Sequence, residues 1–399
     1  MNQDKQAKKS FNVSARGQKT GMKLAMTAAI DAGDDKTVKT ILDIYPQAAN
    51  WTCRGKRPGD EKKSSLMQAA EAGRTKIVRL LLNAGAKVDK EDRWGRTALM
   101  RAVICPDEVA TRLLLQHGAR VSDKDKEGST VFLNFVAAQA FTIYGQKNDP
   151  AYKEHIETLD LLVEYGANVH EKFSARHTNY AGTPAIIALA TSGNRDLLER
   201  LLDRHGADIE TRDSRGMTPF LRACGTGGDS ALLSSLISRG VNVKARNKSG
   251  ETALHIAAGA LQSTCLSYLL RATVTDINEA DVAGDTPLHK AAARAGFALN
   301  CNYGPYSLKN ITALVEKGAD VLAVNAEGKT PLMVLQELRE PEQTALEYLK
   351  GKTQAVLEKA AQEAKKVSGD TVDAVYTGLS QDMEPLQPLR FKTKKKPTP

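Results

Sequence analysis

Apolar positions along this chain come in two alternating kinds of short block. One is rich in small residues and follows Leu-x-x-Ala-Ala-x-x-Gly, as in Leu66-Met67-Gln68-Ala69-Ala70-Glu71-Ala72-Gly73. The other is rich in large residues, as in Ile77-Val78-Arg79-Leu80-Leu81-Leu82, and stops at a glycine, here Gly85. The spacing predicts a short helix whose small face admits a close neighbour. A second helix with a large apolar stripe follows, closed by a left-handed Gly. Thr or Ser precedes the first block, where its hydroxyl accepts from an orphan helix N–H. Pro often comes next, at the position where its missing donor costs nothing.

This pair of blocks repeats. Starts at Ser64, Thr97, Thr130, Thr183, Thr218, Thr252, Thr286 and Thr330 are separated by 33, 33, 53, 35, 34, 34 and 44 residues. The closing glycines Gly85, Gly118, Gly206, Gly240 and Gly318 each precede the next Thr by 12 residues, while Gly166 precedes it by 17. Between pairs lie Asp92-Arg93-Trp94-Gly95, Asp125-Lys126-Glu127-Gly128, Asp213-Ser214-Arg215-Gly216, Asn247-Lys248-Ser249-Gly250 and Asp281-Val282-Ala283-Gly284. Asp or Asn at the first position and Gly at the fourth mark tight turns.

With Thr218-Pro219-Phe220-Leu221-Arg222-Ala223, Thr252-Ala253-Leu254-His255-Ile256-Ala257 and Thr286-Pro287-Leu288-His289-Lys290-Ala291, the chain resembles the ankyrin repeat family. The resemblance implies an all-α ankyrin-repeat solenoid with β-hairpin-like fingers over residues 22–338, in roughly nine repeats. The first unit lacks the Thr and Gly markers, and the ninth reads Met333-Val334-Leu335. Both suit end units that present one face to water.

Three insertions interrupt the period. Ala140–Lys153 carries Tyr144, and Phe297–Lys309 carries Tyr303 and Tyr306; both fall between paired helices. A shorter one enlarges the finger around Phe173–Tyr180. Such insertions read either as an elaborated binding edge or as drift in tolerant loops. Beyond Leu338, Glu340-Pro341 ends the pattern, and residues 339–366 read as one or two capping helices. Residues 1–21 and 367–399 read as basic disordered tails.

Composition adds little beyond location. Of 399 residues, 41% are hydrophobic and 26% charged, enough apolar side chain for a sizeable core. The 5% aromatic share favours Leu/Ala interiors. Formal net charge is +9, but residues 1–23 hold six basic residues against Asp4. Residues 390–399 hold a further five, Arg390, Lys392, Lys394, Lys395 and Lys396, with no acid. The body is therefore close to neutral and gives no support to a nucleic-acid groove along the fold. Five scattered cysteines without a Cys-x-x-Cys pair support neither a disulfide framework nor a zinc site, and favour a reducing, cytoplasmic setting.

Catalytic signatures do not assemble. Gly328-Lys329-Thr330 resembles the end of a phosphate-binding loop, but the required Gly five residues earlier is Ala323, and the tripeptide sits in register as finger and cap. His255 and His289 occupy the Thr-Pro-Leu-His position, where the ring links neighbouring turns. His170 and His177 lack companions at ligand spacing, so no metal, cofactor or small-molecule site is expected.

What remains is surface. In the resembled family, finger tips and the exposed side of the first helix bind partners. Here these positions are Arg93, Trp94, Arg96, Lys126, Glu127, Ser129, Ser214, Arg215, Met217, Lys248, Ser249, Glu251, Val282, Ala283 and Asp285, together with Tyr144, Tyr303 and Tyr306 from the insertions. Trp94 between two arginines is the strongest anchor by residue type, with packing against the adjacent finger as its other reading. The expected function is that of a non-catalytic scaffold or adaptor, monomeric, binding a protein. The alternatives are an effector exported into a host cell through its basic C-terminal segment, and a nuclear, nucleic-acid-associated regulator using both tails.

Overall fold

The protein is described from a computed structural model. It describes residues 20–54, 61–104, 107–140, 150–177, 179–226, 230–260, 263–272, 276–295, 306–338 and 343–368. Most of both basic tails and of the two long insertions, with Tyr144 and Tyr303, and also Cys105, lie outside those residues, while 20–21 and 367–368, expected in the disordered tails, are helical.

Two compact units are present, Met1–Ser214 and Arg215–Pro399. In the first, helices come in pairs: α1 (20–32) with α2 (Asp35–Ile44), α3 (Ser65–Glu71) with α4 (Thr75–Asn83), and α5 (Ala98–Ala102) with α6 (Glu108–Gln116). Then come α7 (Val131–Ala140) with α8 (Pro150–Glu164) and α9 (Ala185–Ser192) with α10 (Arg195–His205). First helices stack on first helices, α3 on α5, α5 on α7 and α7 on α9. Second helices stack likewise from α2 through α10. The other unit repeats the plan with α11 (Pro219–Gly225) and α12 (Ser230–Ser238), α13 (Ala253–Gly259) and α14 (Ser263–Ala272), α15 (Pro287–Arg294) and α16 (Tyr306–Glu316), and α17 (Pro331–Gln336) and α18 (Gln343–Ser368). Here too first helices stack as α11, α13, α15 and α17, and second helices as α12, α14, α16 and α18.

The local causes are visible at each helix start. Thr97, Thr218 and Thr330 accept from the backbone N–H three residues on, at 3.4, 3.2 and 3.4 Å. Pro219, Pro287 and Pro331 open their helices. Small residues let the first helices approach: a methyl group added at Gly225 would lie 2.9 Å from Ile256 of α13. The second helices supply bulk, with Ile77, Val78, Leu81 and Leu82 of α4 and Leu232, Leu233 and Leu236 of α12 buried. Each such side chain contributes roughly 1.5–3 kcal/mol by leaving water.

Several details depart from the sequence expectation. A two-stranded antiparallel hairpin, β1 (Thr52–Arg54) and β2 (Glu61–Ser64), leads into α3. Its sequence signal, Pro58-Gly59-Asp60, lies between two short runs and is weaker than the Asp-x-x-Gly turns. The fifth first helix is capped by Pro184 rather than Thr183, because the enlarged finger engages the Thr183 carbonyl with Phe173 N–H at 2.9 Å. The expected insertions overlap ordered helix, since α8 begins at Pro150 and α16 at Tyr306. Beyond the last finger, α18 is one continuous helix.

Candidate binding surface

Each finger is held by its first residue. The Oδ1 of Asp92 accepts from Trp94 N–H at 2.8 Å and Arg96 N–H at 2.9 Å, while Gly95 N–H closes the turn on the Asp92 carbonyl at 3.1 Å. Asp125, Asn247, Asp281 and Asn325 repeat the arrangement, each accepting from the residues two and four positions on. Four of the carboxylates that open fingers, on Asp92, Asp125, Asp213 and Asp281, belong to buried residues. Their work is internal.

Successive fingers are then joined by backbone hydrogen bonds. In the first unit Lys126 N–H donates to the Trp94 carbonyl at 2.8 Å. Ser174 Oγ takes the equivalent role toward the Glu127 carbonyl, so the enlarged finger joins through a side chain. In the second unit Lys248 donates to Arg215, Val282 to Ser249 and Ala326 to Ala283, at 2.9, 3.0 and 2.9 Å. Gly284 shows why this ladder demands glycine. Its φ is +76°, and an added Cβ would sit 2.6 Å from Ala326 N.

This construction sorts the predicted site residues by position in the turn. The second and third positions point out: Arg93, Lys126, Ser214, Arg215, Lys248, Ser249, Val282 and Ala283 are exposed, and Glu127 is half-buried. Trp94 is half-buried, with the Arg93 guanidinium 4.9 Å and that of Arg101 5.7 Å from its ring centre. The fifth position turns inward. Arg96 is half-buried beside Asp125 at 3.7 Å. Glu251 accepts from Asn247 Nδ2 at 2.7 Å, and Asp285 accepts from Asn325 Nδ2 at 2.8 Å. Ser129 and Met217 are buried, which corrects the expectation of outward contact residues there; at Met217 the thioether packs 3.5 Å from Asn247 Nδ2. Tyr306 opens α16, and its side chain lies outside the described set with Tyr144 and Tyr303.

Two ion-pair clusters brace the first helices, and the sequence pattern did not reveal them. Arg101, buried on α5, donates to Asp92 Oδ2 at 2.5 Å and lies 3.6 Å from Glu71, which also pairs with Lys63 at 2.8 Å. On α15, Lys290 meets Asp281 at 2.7 Å, Asp285 at 3.1 Å and Glu251 at 3.5 Å. Burial alone would lower the Lys290 pKa, but the hydrogen bonds it donates to Asp281 and Asp285 leave it raised. The cue was available, since both cations sit four residues after a capping Thr, facing the preceding finger acid.

The histidines perform the linking task. Thr252 N–H donates to His255 Nδ1 at 3.2 Å, so the ring proton is on Nε2, which donates to the Asp285 carbonyl of the next finger at 2.9 Å. His289 repeats this between Thr286, at 3.1 Å, and the Lys329 carbonyl, at 3.0 Å. Desolvation holds both rings below the ordinary histidine pKa, against the opposing pull of those carbonyls. Met67 fills the same slot in the first unit, its Sδ 3.4 Å from Ser64 N–H.

Nothing among the described residues brings three or more His, Cys, Asp or Glu side chains into a metal-binding group. The Gly328-Lys329-Thr330 tripeptide is finger and cap, with Lys329 Nζ held by Glu327 at 2.8 Å and Glu337 at 2.6 Å. A groove of about 750 Å³ runs between α8 and α10, lined by Glu157, Asp160, Asp196 and Arg200 among others. Its Asp160 is already committed to Arg200 and to His205 at 2.8 Å. No helix among the described residues is long and apolar enough to cross a membrane.

Helix pairs stacked in two rows, Asx-Gly fingers joined edge to edge and Thr-capped first helices together define a repeat protein of the ankyrin class. Residues 25–125 and 220–303 match the family model for ankyrin repeats, described as three copies, and those stretches are ankyrin repeats. The helix pairs between them, including the enlarged finger, lie outside the match. No curated protein matches the chain.

Proposed function

We propose that this chain is a non-catalytic interaction module, an adaptor or scaffold, that holds a protein partner with its fingertips and the adjoining side of its first helices. Repeat proteins of this kind present extended surfaces for protein recognition. One observation carries the reading. The first residue holds the turn in the fingers opened by Asp92, Asp125, Asn247 and Asp281, while across the fingers the second and third positions are exposed or half-buried and differ: Arg93-Trp94, Lys126-Glu127, Ser214-Arg215, Lys248-Ser249, Val282-Ala283. Outer positions that vary in this way are available for recognition. Cys224 and Cys265 are buried and form no disulfide, which fits a reducing cytoplasmic setting.

The test is affinity capture with two variants whose folding is checked by circular dichroism. Arg93→Ala, Trp94→Ala and Arg215→Ala together are expected to release captured proteins that the wild-type chain retains. Glu157→Ala with Asp203→Ala, on the second helices, is expected to release none. Full retention by the fingertip variant contradicts the reading.

A further inference from the structure

We infer that the fingertips of the first unit form a site for an extended acidic segment of the partner, anchored by one apolar side chain on Trp94; this rests on the fingertip reading above. The three fingers concerned are neighbours by direct hydrogen bonds, Lys126 N–H to the Trp94 carbonyl and Ser174 Oγ to the Glu127 carbonyl. Their tips carry Arg93, Lys126 and Arg176, all exposed, and among the described residues none of the three makes an ion pair. Lys124 and Lys172, exposed on the arms of the second and third fingers, add the same sign. Glu127 at the tips, Glu91 on the first arm and half-buried Glu171 on the third oppose it, leaving an excess of cations. The neighbouring buried Arg101 and half-buried Lys63 are already neutralised, by Asp92 and Glu71.

Geometry narrows the occupant. Each finger contributes two strand-like arms, so tips in adjoining fingers lie roughly 10 Å apart, about three residues of extended chain. A segment crossing the tips with a carboxylate at every third residue meets Arg93, Lys126 and Arg176 in turn. Arg93 rests 4.9 Å from the Trp94 ring centre, which leaves the edge of its guanidinium free for two parallel hydrogen bonds to a carboxylate. Stacking has already restricted that side chain, so capture costs it less conformational freedom. In the second unit Arg215 and Lys248 are exposed on adjoining tips, but Val282 and Ala283 stand at the next, so a row of three cations is not repeated there. A peptide is favoured over a nucleic acid because the cations form one short row in a body that is otherwise near neutral.

Fluorescence anisotropy of the full chain tests this with a labelled peptide of roughly ten residues, with Glu at every third position and Leu and Ser between. Its Gln twin and a single-stranded oligonucleotide are the comparisons. The Glu peptide is expected to bind more tightly than both, and to weaken as salt rises. Arg93→Glu with Lys126→Glu should weaken it at least tenfold or so, with an unchanged circular dichroism spectrum. Lys394→Glu, Lys395→Glu and Lys396→Glu together, in the basic C-terminal segment, should preserve it. No binding, equal binding of the Gln twin, tighter binding of the oligonucleotide, or loss only in the C-terminal variant overturns the inference. Partner capture that still depends on Arg215 in such a case would leave the broader fingertip reading standing.

Discussion

Single residues carry constraints of opposite kinds in this protein. Gly284 combines a left-handed φ of +76° with a Cβ position 2.6 Å from the next finger's backbone, so Gly284→Ala should destabilise by about 1–3 kcal/mol in urea unfolding. A glycine there was legible from the Asp-x-x-Gly spacing; the close approach was not, because it involves a neighbour 42 residues away. His255 and His289 give a pH dependence with a definite sign. Their folded pKa values lie below the ordinary 6.5, so the unfolded chain binds more protons just below that pH. The contribution is full above about pH 6.5 and declines as pH falls beneath it, when Nδ1 gains a proton facing the Thr252 or Thr286 N–H. Glu251, Asp281, Asp285 and Lys290 surround these rings, so the histidines' share is read by comparing the wild-type chain with the double variant between about pH 5 and 7.5. Stability is expected to drop across that range in the wild-type chain and to flatten in His255→Gln with His289→Gln.

At the scale of the element, helix starts and finger closures are fixed locally and were readable as such. Thr218→Ala removes the acceptor for Leu221 N–H and should cost about 1 kcal/mol. What sequence spacing could not supply was pairing across elements. Asp92 looked like a turn residue, yet it also neutralises Arg101, a side chain only 7% exposed. Asp92→Ala and Arg101→Met should therefore each cost about 3 kcal/mol, since each leaves the other's buried charge without its partner. A double-mutant cycle by chemical unfolding checks both values. The β1–β2 hairpin and the shifted start of α9 escaped the pattern for a related reason. Each replaces the standard finger with a longer connection whose hydrogen bonds follow no period, as where Gly182 N–H donates to the Phe173 carbonyl at 3.0 Å.

For the molecule as a whole, the period explains the stacking in both units, and the match over residues 25–125 and 220–303 identifies the repeats. The partner was not legible, and the physical reason is general. Fingertip side chains are released from folding, so stacking energetics leave no trace of what they contact. Met217 marks the limit of reading a surface from turn position alone, because the fifth place in the finger is buried at Met217 and Ser129 and half-buried at Arg96, Glu251 and Asp285. The most direct test of the central claim places a photo-crosslinking amino acid singly at Arg93, Lys126, Lys248 and Val282, and at Glu157, Asp203 and Ser234 on the second helices. Covalent adducts with a captured partner, read by mass spectrometry, are predicted from the fingertip positions and not from the second helices. Adducts from the second helices with none from the fingertips would contradict the account.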